Sequence, residues 1–204
     1  MLASSTIVES IDSMRKSGLA SLAFFYCDFR EGEKNDLRGL LSSVLVQLCH
    51  QSDSYCQILS DFYSEHAGGS QHSSDDTLMR CLKEILKVSG QAPVYLIFDG
   101  LDECSNTSAM PSPREKVLTF LEDLIDLQLW NLRICVTSRP EIDIKRVLEP
   151  LTYHSISLHD DSGQIEDIEK YIRSIVNADK KMRRWAAADR ELVIDVLIKK
   201  SDGM

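Results

Sequence analysis

The sequence predicts an α/β fold, three layers built on a mainly parallel sheet, and two observations predict it. Three short apolar runs, SLAFFYC (21–27), VYLIFD (94–99) and LRICVT (132–137), have strand length and read as strands buried on both faces. Around them lie longer segments whose apolar residues recur at helical spacing. Strands alternating with helices make βα units, and such units build parallel sheets covered by helices.

The elements follow in order. Residues 2–15 place Ile7, Ile11 and Met14 at helical spacing, and Ser17-Gly18 ends that helix. The strand at 21–27 leads through the polar stretch DFREGEKND to Asp36, an N-cap. The helix it opens carries Leu37, Leu40, Leu41, Val44, Leu45 and Leu48 as one stripe. A further helix is expected near 54–65, and AGGSQHS (67–73) reads as a loop. Ser73 or Ser74 then caps a helix carrying Leu78, Leu82, Ile85 and Leu86. After the strand at 94–99, Ser112, Pro113 and Glu115 spell a capping box with proline at the first helical position. That helix presents Val117, Phe120, Leu121, Leu124 and Ile125. YHSISL (153–158) alternates, with His154, Ile156 and Leu158 on one side, and predicts a fourth, edge-like strand. Residues 164–200 read as helical throughout.

Charge and composition exclude several classes of function. The 23 Lys+Arg against 32 Asp+Glu leave a net charge of -9, which opposes binding to nucleic acid or to an anionic membrane surface. No run of eighteen apolar residues exists to span a bilayer, and MLASSTIVES lacks the basic and apolar regions of a secretory signal. The expected location is cytoplasmic. Six cysteines form no CxxC pair and no zinc spacing, so they read as reduced, buried thiols rather than a metal cage. KKMRRW (180–185) reads as a solvated helix start, and Trp130 and Trp185 as packing residues.

In open parallel sheets, ligands sit outside the carboxyl ends of the strands. The strand at 94–99 ends in Asp99-Gly100-Leu101-Asp102-Glu103, and that at 132–137 in Thr137-Ser138-Arg139-Pro140. A carboxylate closing an apolar strand is a recurrent holder of Mg²⁺. Asp102 or Glu103, one turn further on, has the chemistry to orient or deprotonate a water attacking a phosphoryl group. Arg139 on the neighbouring strand end would stabilise its charge, a contribution worth ~10³–10⁵ in rate where well placed. A covalent role for Asp99, as in haloacid-dehalogenase-type phosphatases, requires a second acid two residues on. Here it stands three on, at Asp102, which weakens that reading.

These residues carry a resemblance. LIFDGLDEC resembles the Walker B region of NACHT-type (STAND-class) P-loop NTPases, and RICVTSRPE resembles their sensor strand. FFYCDFREGEKNDLRGLLSSVLVQL is similar to the corresponding strand and helix of nephrocystin-like N-terminal modules in fungal multidomain proteins. The DGM at 202–204 resembles the start of a Gly-Met-Phe motif that follows the ATPase core. The resemblance implies a P-loop NTPase-type core over 1–160 and the start of a helical region over 161–204. It implies Asp99 as the metal-associated acid, Glu103 with Asp102 positioning water, and Arg139 with Thr137 on the nucleotide phosphates. Mg²⁺ with ATP or GTP is the implied cofactor, and signal transduction by a nucleotide-dependent switch the implied role.

One departure changes that expectation. No glycine in the chain is followed by lysine, so a GxxxxGK[ST] phosphate cradle is absent. In the resembled family the cradle precedes a helix similar to LASSTIVESI, so the chain reads as beginning just after it. The strand leading into the cradle would then be missing too, and in that class it lies centrally, between the strands read at 132–137 and 153–158. The expectation is weak nucleotide binding, weak or no hydrolysis, and a sheet edge that invites a protein partner or self-association. The alternative reading is a non-catalytic interaction or scaffold domain, or a truncated gene product.

Overall fold

The computed structural model describes residues 2–28, 36–66, 74–107, 109–157 and 162–201. By contacts the chain divides into two compact units, Met1–Thr152 and Tyr153–Met204.

The first unit is a mixed α/β fold around a three-stranded, open, parallel sheet. It runs α1 (Leu2–Lys16), β1 (Ser21–Tyr26), α2 (Leu37–Cys49), α3 (Asp53–His66), α4 (Asp75–Leu86), β2 (Val94–Asp99), a 3-10 turn (Leu101–Glu103), α5 (Pro113–Ile125), β3 (Leu132–Val136) and α6 (Ile142–Leu148). The strand order is β1-β2-β3, with Ser21 opposite Val94 and Val94 opposite Leu132. Alternate residues of each strand face opposite layers. Ala23, Val94, Leu96 and Phe98 enter the larger core with Leu40, Leu41, Val44 and Leu45 of α2, Leu82 and Ile85 of α4, and Phe120 and Leu121 of α5. Leu22 and Ile97 face the other way, against Ile11 of α1.

The predicted caps are in place. Asp36 accepts from the Gly39 N–H at 2.8 Å, Ser74 from the Thr77 N–H at 3.2 Å, and Ser112 and Glu115 exchange both bonds of the capping box. The loop expected at 67–73, most of the polar stretch at 28–36 and the DGM at 202–204 lie outside the described residues.

The two sheet edges are finished differently. Ser21 and Cys27 donate to Pro93 and Asp99, so odd-numbered residues of β1 bond β2 and even-numbered ones point outward. At Leu22 and Phe24 those outward groups are taken by two glutamines, Gln47 in the last turn of α2 and Gln51 in the turn just after it. Gln51 accepts from Leu22 N–H at 2.9 Å and donates to Leu22 O at 2.6 Å; Gln47 does the same for Phe24 at 3.0 and 2.7 Å. The chain turns just past α2, with the Gln51 N–H on Leu48 O at 2.9 Å, and two amides four residues apart thereby meet two strand residues two apart. On β3, Asn131 O accepts from Val94 and Thr137 donates to Phe98. Leu132, Ile134 and Val136 therefore turn their backbone groups away from β2, and no strand among the described residues pairs with them.

Three expectations are corrected. The fourth strand at 153–158 does not form over its described part: 153–157 is irregular, with Tyr153 94% and Ile156 85% exposed. A period of two makes a strand only where a neighbouring edge supplies hydrogen bonds. The helix expected over 164–200 is two helices, α7 (Ser162–Ala178) and α8 (Ala187–Ser201). Asp179 interrupts it by accepting from the Lys181 and Met182 N–H groups at 2.7 and 2.9 Å, a local bond that competes with the helical one. Trp130 does not pack; it is 75% exposed.

The second unit is the pair α7 and α8, which bury Val176 and Ile194. Arg173 ties them, donating to Glu169 one turn away at 2.8 Å and to both carboxylate oxygens of Glu191 at 3.0 and 2.8 Å. Among the described residues no helix is long and apolar enough to cross a membrane.

Candidate functional site

The residues singled out from the sequence converge where β2 and β3 end. Asp99 is the last residue of β2 and is buried. The Thr137 hydroxyl, just beyond β3, donates to Asp99 Oδ1 and accepts from the Gly100 N–H at 3.1 Å. The Leu101 N–H donates to Thr137 O at 3.0 Å, which carries the β2–β3 ladder one step past the strands. Gly100 turns the chain with φ at +70°, a conformation that penalises any Cβ. A Cβ there would also stand 3.5 Å from Cys27 O and 3.8 Å from the Glu103 side chain.

Asp102 and Glu103 lie on the 3-10 turn that follows. Asp102 bridges to the next strand end: its Oδ1 accepts from the Arg139 N–H at 3.0 Å, and its Oδ2 stands 3.5 Å from Arg139 Nε. The Asp102 side chain is 10% exposed, whereas that of Arg139 is 73% exposed. Arg139 is thus held by its backbone and by one long contact, with most of its guanidinium in solvent. Glu103 sits beside Gly100, its N–H bonded to Gly100 O at 2.8 Å. All five predicted residues therefore meet in one cluster. No group of three metal-ligating side chains converges among the described residues.

Two further residues shape the cluster. Arg114 is buried beneath the turn, where it donates to the carbonyls of Asp102 and of Cys104 (3.1 Å) and pairs with Asp143 at 3.2 Å. An arginine in the first turn of a helix opposes the macrodipole, and that mismatch is the sequence signal that it serves another purpose. Cys27, just after β1, and Cys104, just after the turn, are both buried with their sulfurs 3.0 Å apart. The mutual hydrogen bond and burial push the Cys27 thiol up, while the Cys27 S–H and the nearby Arg114 cation hold Cys104 below the usual thiol value. Of the six cysteines, Cys56 is exposed and Cys135 half-buried, so the expectation of uniformly buried thiols holds for four.

The fold and the cluster together define an α/β domain with an acidic, arginine-flanked group of side chains at the carboxyl edge of a parallel sheet. The nephrocystin 3, N-terminal, family matches residues 1–139, and the chain belongs to that family. The match contains Asp99, Asp102, Glu103, Thr137 and Arg139. No curated protein and no solved structure matches the chain.

Proposed function

We propose that this chain is a protein-interaction module that associates through the open edge of β3, with a second copy as the occupant. The observation that carries this reading is the asymmetry of the sheet. The outward groups of Leu22 and Phe24 on β1 are answered by Gln51 and Gln47; on β3 Leu132 is bonded locally, to Leu129 O and by the Arg133 side chain, while the outward groups of Ile134 and Val136 meet no strand among the described residues. Outward N–H and C=O groups with no paired strand are a template for another strand. Two copies related by a two-fold axis would present the same edge to each other. Sedimentation across a concentration series tests this. A dimer that grows with concentration and is lost in Ile134→Pro, which removes an outward N–H, supports the reading. A monomer throughout the series overturns it. Circular dichroism of the variant establishes that the fold survives the substitution.

A second reading, a NACHT-type nucleotide-dependent switch of the P-loop NTPase class, is favoured by the Asp99–Thr137 and Asp102–Arg139 links between adjacent strand ends. Mg²⁺ is commonly held by one or two carboxylates plus waters, and a lone Asp99 at a strand end suits that pattern. Bound there, the ion would neutralise phosphate charge. Asp102 and Glu103 would orient a water, Arg139 would exchange its long contact with Asp102 for a phosphate oxygen, and Thr137 would hold Asp99 in position. Without a phosphate cradle in the chain, affinity rests on few ligands. Titration with Mg-ATP separates the readings: saturable binding weakened by Arg139→Ala supports the switch, and phosphate release abolished by Glu103→Gln supports turnover. Absence of binding leaves the interaction module.

A further inference from the structure

We propose that Cys27 and Cys104 are a redox modification site, forming a reversible disulfide that ties the end of β1 to the acidic turn after β2.

The two sulfurs face each other at 3.0 Å, in a chain where the other described thiol hydrogen bonds go to carbonyls: Cys49 to Tyr55 O and Cys56 to Cys49 O. A disulfide needs S–S of about 2.05 Å, so the sulfurs must close by about 1 Å. The backbone already fixes both ends. Cys27 donates its N–H to Asp99 O at 2.9 Å, and Cys104 is bonded through its N–H to Leu101 O and through its carbonyl to Arg114. Neither residue needs a change of secondary structure to reach the other.

The chemistry balances with a hydroperoxide as oxidant. The Cys104 thiolate, beside the Arg114 cation, attacks one peroxide oxygen. The O–O bond breaks, hydroxide leaves, and Cys104 becomes a sulfenic acid. The Cys27 sulfur then attacks the Cys104 sulfur, the S–O bond breaks, and the S–S bond forms. With protons from the thiols, two waters leave for each hydrogen peroxide consumed, and the peroxide gains the two electrons the sulfurs lose. A dithiol reductant reverses the bond by exchange.

The bond would join positions 77 residues apart and restrain the turn that carries Asp102 and Glu103. The pair stands whether or not that turn binds nucleotide.

The test uses the wild-type chain treated with hydrogen peroxide, digested with trypsin without reduction and mapped by mass spectrometry. The expected product links peptide 17–30 to peptide 88–114, two hydrogens lighter than the pair, and separates on dithiothreitol. The oxidised chain should also melt roughly 5–10 °C higher than the reduced one, and Cys104→Ser should lose that rise. Linkage confined to Cys49, Cys56 or Cys81, linkage only between chains, or oxygen addition to Cys104 without a link overturns the proposal.

Discussion

The Thr137 hydroxyl is the smallest group on which the candidate site depends, because it serves Asp99 and the Gly100 N–H at once. Thr137→Val keeps the shape of the side chain and leaves a buried carboxylate oxygen and an amide without that partner. The expected cost is roughly 1–3 kcal/mol. Urea unfolding should show a lower midpoint with an unchanged slope. The buried thiols contribute a pH dependence of definite sign. Burial pushes Cys81 from 9.0 up to about 11, and burial together with Cys56 and Cys81 pushes Cys49 to about 11. A raised folded value means that stability is fully present below the unfolded value and is lost as pH rises. The melting temperature should therefore fall between about pH 9 and about pH 11, and less steeply in Cys81→Ala. Asp99, Asp102, Glu103, Thr137 and Arg139 were legible in the sequence because strand ends announce themselves by an abrupt change from apolar to polar residues. For Arg114 the sequence shows only its mismatch with the helix dipole; its partners, the Asp102 and Cys104 carbonyls and Asp143 29 residues on, are set by the fold.

At the scale of the element, the sheet edges hold the most information. Gln47 and Gln51 act as a short mock strand along β1, each making two bonds to one residue. Gln47→Leu keeps the volume and removes one such pair. It should cost about 1–2 kcal/mol and accelerate amide exchange at Phe24 more than at Ala23, whose N–H faces β2. An equal change at both positions would mean that the strand itself had loosened. The three strands and α1 to α5 were readable because period and capping are local properties. The amide pair at the end of α2 was not, because a glutamine there has the same appearance in sequence whether it meets water or a strand. The strand expected at 153–158 shows the converse. Its alternation was genuine, but a strand is made by its neighbour, and its described part, 153–157, pairs with no strand among the described residues.

At the scale of the whole molecule, the division after Thr152 leads to a prediction about cleavage. Residues 153–157 are irregular and exposed, and Tyr153 offers a chymotrypsin site at 94% exposure. Brief digestion should cut first at Tyr153 and leave a fragment of the first unit that still melts cooperatively. First cleavage within β1, β2 or β3 would contradict that order of stability. By itself the sequence determined the three strands of the sheet, the caps, the buried stripes and which residues gather at the strand ends, since all of these follow from residue type at short range. Only the tertiary structure decided that one sheet edge is sealed by side-chain amides and the other left open. It alone brought Cys27 and Cys104 sulfur to sulfur and placed Arg114 beneath the site. Those outcomes depend on which residues distant in the chain become neighbours, and the free energy of such contacts exists only once the core has been formed.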